Sequence, residues 1–249
     1  MAYTQQQKDA IIELKQRGYG VTEISRQLKL DRGSISKFLK AQGFSTDRNP
    51  IQKNIFSKID SEEKAYWLGM LYADGTVHKT SGQVCLTLQE QDKEHLEKLK
   101  KFLGCNNKIS YDKNNNSYRL SFCCAEIAAD LQKLGCVPQK SLILTFPNDS
   151  QVPPEFKKDF MRGYVDGDGC LCYTEKTYCF SFTSTESFIQ SAIEYFQWKE
   201  CKLDLAGQAK TWRCADKKLV PNYLNTLYEK STIYLQRKYE KFLKMRNVQ

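Results

Sequence analysis

An α+β fold, in which one αββαββα unit is used twice behind a small three-helix unit, is what this sequence predicts. Three observations carry that expectation. EKAYWLGMLYADGTV (63–77) and KDFMRGYVDGDGCL (158–171) share an apolar helical run, a glycine and a closing Asp-Gly, with Asp74 and Asp168 94 residues apart. The text after each copy follows the same order of strand-like and helical stretches, which marks an internal duplication. Ahead of both, residues 4–43 carry three short apolar stripes at helical spacing.

The stripes are Ile11, Ile12 and Leu14, then Ile24 and Leu28, then Ile35, Phe38 and Leu39. Thr4 and Thr22 read as N-caps of the first two helices, and Asp31 caps the third after the tight turn LKLDRGS. A three-helix unit with a short second connection resembles a helix-turn-helix of the kind found in resolvases and transposases. The third helix would then enter the major groove, with Arg32, Ser34, Ser36 and Lys37 free to bond bases or phosphates. A generic three-helix packing unit would show the same stripes, so charge has to weigh in. Residues 1–48 hold nine Lys or Arg against five Asp or Glu, a net +4 out of +9 for the whole chain. That excess favours a polyanion, because neutralised phosphates release counterions. Residues 1–43 are thus read as the DNA-binding domain. Residues 44–61, aperiodic and polar with Pro50, read as a linker.

The repeats then span 62–150 and 151–249. In the first, QVCLTLQ precedes the helix DKEHLEKLKKFLG, then KISYD and SYRLSFC, then AEIAADLQKLG. In the second, CLCYT and TYCFSFTS precede ESFIQSAIEYF, followed by LAGQAK, TWRCAD and the helical NYLNTLYEK and YLQRKYEKFLKM. The strands alternate. Val84, Leu86 and Leu88 share one face, as do Tyr118, Leu120 and Phe122, and Tyr178, Phe180 and Phe182. Opposite them stand Gln83, Thr87, Gln89, Arg119, Ser181 and Thr183, side chains that can read bases, and Gln208, Lys210 and Arg213 extend the set. An ordinary half-solvated sheet alternates in the same way.

Composition removes several classes. Apolar residues are 41% and charged residues 27%, with no run long enough for a membrane span. The start, MAYTQQQKDAII, has no apolar leader, which predicts a cytoplasmic, nucleic-acid-associated protein. Ten cysteines sit in strand-like text without a spaced framework, and there are only two histidines and no C-x-x-C pair. Reduced thiols and no zinc site are expected.

The repeated motif carries the chemistry. A calcium-loop reading of DGDG fails: counted from Asp166, the fifth position is Cys170 and the twelfth Thr177. Gly69 and Ala73, and Gly163 and Gly167, are instead small residues four apart, on one helical face that lets two backbones pack closely. If the two helices pair, Asp74 and Asp168 become neighbours beside two partly negative helix ends, a site for a hard divalent cation. Gly75 and Gly169 permit the sharp exit into the next strand.

LGMLYADG and RGYVDGDG resemble the two signature motifs of single-chain LAGLIDADG homing endonucleases, and the likeness covers about 62–249. The resemblance implies two saddle-shaped antiparallel sheets over the major groove of double-stranded DNA, with the motif helices between the halves. It implies that Asp74 and Asp168 bind metal, near the carbonyls of Ala73 and Gly167, and that a lysine approaches each scissile phosphate. Lys140 and Lys238 match best, with Lys230 or Arg237 as substitutes for Lys238. It further implies Mg²⁺ or Mn²⁺, with Ca²⁺ able to occupy the site without supporting cleavage. The implied protein is a monomer with no obligate protein partner and a long asymmetric target, in a prokaryote, phage or organelle. Its activity would be double-strand cleavage serving intron or intein mobility. Tyr72 stands where the first motif acid would be, and Arg162 replaces a small residue. A non-cleaving regulator of the same fold is the first alternative, set back by the presence of both acids; an intron RNA maturase is the second.

Overall fold

A computed structural model of the chain describes residues 3–17, 19–44, 46, 50–174, 177–199 and 203–246. The chain divides into two compact units, residues 1–51 with the short stretch 104–106, and residues 52–103 with 107–249.

The smaller unit holds α1 (Gln5–Gln16), α2 (Val21–Leu28) and α3 (Arg32–Ala41). Its core is Ile11, Val21, Ile24, Ile35 and Leu39, the stripes facing inward. Thr4 caps α1 in a capping box with Gln7. Asp31 caps α3, accepting from the Ser34 amide at 2.8 Å and its hydroxyl at 2.7 Å. At α2 the expectation fails by two residues. The cap is Gly20, whose N–H donates to the Glu23 carboxylate at 2.9 Å, and Thr22 lies inside the first turn. The Glu23 carboxylate satisfies the cap residue's own N–H, a different donor from the first-turn amides that a threonine hydroxyl would cap, and Gly20 has no side chain to cap those. Three residues join α2 to α3, with Lys29 in the left-handed region at φ 52°.

Residues 52–61 pack with the larger unit, so the expected linker is shorter than 44–61. Ile55, Phe56 and Ile59 are buried. Phe56 meets Phe102 edge-on at 5.8 Å, and the Gln52 amide donates to the Leu103 carbonyl at 2.9 Å. Asp47, Arg48 and Asn49, within the same stretch, lie outside the described residues.

The larger unit runs α4 (Glu62–Asp74), β1 (Gly75–Val77), β2 (Gln83–Gln89), α5 (Lys93–Leu103), β3 (Ile109–Asp112), β4 (Ser117–Cys123) and α6 (Ala125–Lys133). It repeats as α7 (Lys157–Asp168), β5 (Gly169–Tyr173), β6 (Tyr178–Ser184), α8 (Glu186–Phe196), β7 (Asp204–Ala206), β8 (Ala209–Cys214) and α9 (Leu219–Tyr228), followed by α10 (Gln236–Arg246). Both sheets are antiparallel, in the orders β1-β2-β4-β3 and β5-β6-β8-β7. The duplication seen in the sequence is therefore a duplication of topology. Val84, Leu86, Leu88, Leu120 and Phe122 are buried, as are Tyr178, Phe180, Phe182, Trp212 and Cys214 in the second sheet. These inward faces lie under the apolar sides of α5, α6 and α8, through Leu96, Leu99, Ile127, Phe188 and Ile189.

α4 and α7 form the axis between the halves. Ala65 to Tyr72 and Phe160 to Asp166 are all buried, so each helix is enclosed on every side. A Cβ on Gly69 would come within 1.9 Å of the Phe160 carbonyl oxygen, and one on Gly163 within 2.0 Å of that of Tyr66. A Cβ on Gly167 would meet the Ala73 Cβ at 2.3 Å. All four small residues therefore line the contact.

Two departures from the motif pattern now have physical accounts. Tyr72 donates its hydroxyl to the Leu134 carbonyl, fastening α4 to the end of α6. Arg162 is fully buried and uses its planar fork four times, on the Ile233 carbonyl (2.9 Å), Asp159 (2.7 Å), the Leu227 carbonyl (2.8 Å) and Glu62 (2.7 Å). Lysine would keep the charge but reach only part of that set. Arg162→Lys is expected to cost about 2 kcal/mol in denaturant unfolding, from the carbonyls and carboxylate left unpaired. An unchanged midpoint would show that this network is dispensable.

Candidate active site and DNA-facing surface

Both motif helices end at the same place. A Cβ on Gly167, in the last turn of α7, would lie 3.2 Å from Asp74 Oδ2, so the first motif carboxylate sits against the end of the second motif helix. Burial, and next the charge of Asp168, push Asp74 up to about 6, against the pull of Lys238, Lys140 and Arg237. Burial also raises Asp168, opposed by Lys140 and Lys238. Two carboxylates held together with this little compensation form a centre that attracts positive charge.

The two lysines arrive from different parts of the chain. The Lys140 ammonium donates to the Gly75 carbonyl. The Lys238 ammonium donates to the carbonyls of Val165 (2.7 Å), Asp166 (2.7 Å), Gly167 (3.1 Å) and Gly169 (2.6 Å). Gly75 and Gly169 are the residues after the two motif acids, so the lysines occupy equivalent places in the two halves. Each ammonium meets the carbonyl-rich, partly negative end of a helix. Their settings differ in degree: burial pulls Lys238 down to about 8, and nearby Asp166 pulls it back up.

Asp166 is enclosed. It accepts from Tyr66 (2.8 Å), Tyr228 (2.6 Å) and the Leu235 amide (2.7 Å), and burial raises it above the usual carboxylate range. The single Tyr66 proton goes to Asp166, so at the second Tyr66 contact, 2.8 Å to His95 Nε2, the ring nitrogen must be the donor. Burial holds that histidine neutral, its pKa near 3.

Away from this centre the outer faces of both sheets are polar and cross-linked. Gln83 donates to Ser121 at 2.9 Å, Arg119 to Thr87 at 3.2 Å, and the hydroxyls of Thr183 and Thr211 meet at 2.7 Å.

Comparison with known proteins now bears on this geometry. No family model matches the chain, and no curated protein does. Solved structures do match. The LAGLIDADG homing endonuclease I-LtrWI, bound to target DNA, superposes with a TM-score of 0.50 at 13% identity, over 76% of this chain and 91% of that one. The LAGLIDADG meganuclease I-AabMI, bound to uncleaved DNA, gives 0.51 at 12%, over 74% and 90%. I-SmaMI, a LAGLIDADG homing endonuclease bound to cleaved DNA, gives 0.51 at 13%, over 74% and 87%. The chain has the LAGLIDADG fold.

Within the LAGLIDADG fold the expected site residues divide into those brought together and those not. Asp74, Asp168, Lys140 and Lys238 converge on the ends of the motif helices. The two substitutes for Lys238 lie elsewhere in their contacts. Lys230 is exposed in a left-handed turn at φ 60°, and Arg237 spends its Nε on both oxygens of Asp92, at 3.1 and 2.9 Å. The Gly167 carbonyl, expected beside the cation, already accepts from Lys238. Ala73 serves the helix contact through its Cβ.

On the sheets, Gln83, Thr87, Gln89, Arg119, Ser181, Thr183 and Arg213 share the outer faces by register, and Gln208 is exposed in the turn between β7 and β8. Lys210 does not belong with them. It has the parity of Trp212 and Cys214, which face inward, and its ammonium stands 4.0 Å from Glu186 of α8. Ser110, opposite Arg119, and Thr211, opposite Thr183, do belong and were missed. The alternation in ISYD and AKTWRC carried both signals. In the smaller unit Arg32 and Lys37 are exposed, Ser36 is half-buried, and the Ser34 hydroxyl is committed to capping by Asp31.

The donor set fits a hard divalent cation in part. Among the described residues no cluster of three or more His, Cys, Asp or Glu could hold a metal. Two carboxylates short of positive compensation remain, and ions such as Mg²⁺ commonly take one or two carboxylates and complete their shell with water and phosphate oxygens. Because Asp74 titrates near 6, protons and cations compete there. Mn²⁺ affinity, measured by calorimetry, is expected to rise about fivefold between pH 5 and 6 and to level off above pH 7. A flat profile would mean that Asp74 does not bind the ion.

Proposed function

We propose that this chain is a site-specific DNA endonuclease that cuts both strands by metal-dependent phosphodiester hydrolysis, one motif acid serving each strand. The observation that carries the reading is the convergence of Asp74 and Asp168, with Lys140 and Lys238, at the ends of two helices packed through glycine. The fold neighbours, by their descriptions, were captured on target, uncleaved and cleaved DNA, which supports duplex DNA as the partner. A net charge of +9 supports a polyanion as well.

In this reading Asp74 and Asp168 hold the divalent cations. Such an ion would supply Lewis-acid stabilisation of phosphate charge and an acidified water. Lys140 and Lys238 place fixed positive charge beside the reacting phosphates, and their carbonyl contacts keep each ammonium oriented before DNA arrives. The outer sheet faces, through Arg119, Gln83, Ser181, Thr183 and Arg213, read base edges and phosphates over a long, asymmetric site. Asymmetry follows from unlike halves: Asp166 and Arg162 in one occupy the motif positions of Tyr72 and Leu68 in the other. The smaller unit acts as a helix-turn-helix, with Arg32 and Lys37 of α3 on DNA, and adds affinity through its tether.

The decisive test is a randomised duplex library with Mg²⁺. Cutting at a selected sequence supports the reading, and sequence-specific binding without cutting supports the non-cleaving regulator. Removal of residues 1–48 is expected to weaken binding to the selected duplex by about tenfold or more without moving the cut positions. Equal binding after the deletion would remove the smaller unit from DNA recognition.

A further inference from the structure

Three cysteines share the outer face of the second sheet, and the proposed chemistry uses none of them. Cys172 of β5 lies directly opposite Cys179 of β6, while Cys170, two residues earlier on the same face, lies opposite Ser181. Cys170 and Cys172 are exposed and Cys179 is half-buried. The Thr174 and Thr177 amides and carbonyls bond one another reciprocally, at 2.9 and 3.3 Å, which makes that pair a hydrogen-bonded one. Two residues further in, Cys172 and Cys179 form the next such pair, where Cα atoms stand about 5.5 Å apart, inside the range a disulfide spans. Burial raises the Cys179 thiol, while the charge of Arg213, whose register partner Ser181 is two residues away, opposes that rise. The remaining described cysteines on outer faces, Cys85 and Cys123, face Ser121 and Gln83 across the strands.

We propose that Cys172 and Cys179 are a reactive dithiol that exchanges with low-molecular-weight disulfides and closes to a reversible disulfide. Its placement on the DNA side rests on the function proposed above; the dithiol chemistry itself does not. The more exposed Cys172 thiolate attacks one sulfur of oxidised glutathione, which breaks that S–S bond and forms a Cys172–glutathione mixed disulfide. One glutathione leaves as thiolate and takes up a proton. The Cys179 thiolate then attacks Cys172 Sγ, and the second glutathione leaves in the same way. Two protein thiols are oxidised, one small disulfide is reduced, and the adduct is expelled from the surface.

The full chain incubated with oxidised glutathione, alkylated and digested with trypsin without reduction, reads this out. Peptides 163–176 and 177–199, which contain only these three cysteines, are expected as a linked pair that dithiothreitol separates. C170S should keep the link, C172S should lose it, and C179S should trap glutathione on Cys172. A link that persists in C172S, or wild-type protein that stops at the adduct, overturns the dithiol. Trapped C179S places the two carboxylates of glutathione on the sheet. Its affinity for a mixed-sequence duplex should fall about tenfold and return with dithiothreitol. Normal affinity of the trapped adduct would overturn the DNA-facing placement and leave the peptide result standing.

Discussion

Asp74→Asn will abolish double-strand cleavage and, at neutral pH without divalent cations, will make the fold more stable. The Asp74 carboxyl has its folded pKa raised to about 6 from 3.8, first by burial and then by Asp168. The folded state therefore holds this proton more tightly than the unfolded chain does. Below the unfolded value both states are protonated and the group contributes no penalty. As pH rises through 6 the native carboxylate ionises against its surroundings and the full penalty is present, about 3 kcal/mol for a shift of roughly two units. The amide removes that charge with little change of shape. Denaturant unfolding in EDTA should put the variant ahead of wild type at pH 8 and level with it at pH 3. Adding Mg²⁺ should raise the wild-type midpoint and leave the variant where it was. Cleavage should fall by about a thousandfold or more, because charge at the reacting phosphate loses its stabiliser. Asp168→Asn should cripple cutting in the same way, with the surviving activity confined to one strand. A variant that cuts normally, or one that is less stable at pH 8, would contradict the role given to this carboxylate.

Gly69→Ala and Gly163→Ala should each remove the folded larger unit at ordinary temperature. The added Cβ would meet a backbone carbonyl oxygen at 1.9 or 2.0 Å, and no side chain can turn away to relieve it. The helices must separate along their whole length, which unpacks Tyr66, Met70, Phe160 and Tyr164 together and parts Asp74 from Asp168. A cost of about 4 kcal/mol or more is expected, at the far end of what single substitutions do. Gly33→Ala is the control: a Cβ there would lie 3.4 Å from Asp31 Oδ1, an ordinary contact, and alanine favours the helix. Circular dichroism melts of the three variants decide it. Soluble Gly69→Ala protein with a wild-type melt would mean that the helix pair tolerates separation.

Much of the architecture could be read before any coordinates. Short-period signals are local, so the inward parity of Val84, Leu86 and Leu88, or of Phe180 and Phe182, needed only adjacent residues. The Gly69–Ala73 and Gly163–Gly167 spacing likewise announced a close helix contact. The same logic, pursued to Trp212 and Cys214, would have turned Lys210 inward and put Thr211 outward. The α2 cap was missed because the cap residue, Gly20, has no side chain to mark it.

What the sequence determined by itself is the duplication, the paired motif acids, the two faces of each strand and the basic three-helix unit, because each is written in residues within one element or in an exact recurrence. Tertiary structure alone decided that Lys140 and Lys238 bind the carbonyls after Asp74 and Asp168, 65 and 69 residues away in the chain. It also decided that Asp166 disappears under Tyr66 and Tyr228 while Asp168, two residues on, stays at the centre. The reason is physical. Asp166 and Asp168 are the same side chain, and they are told apart by the donors that distant segments bring to them.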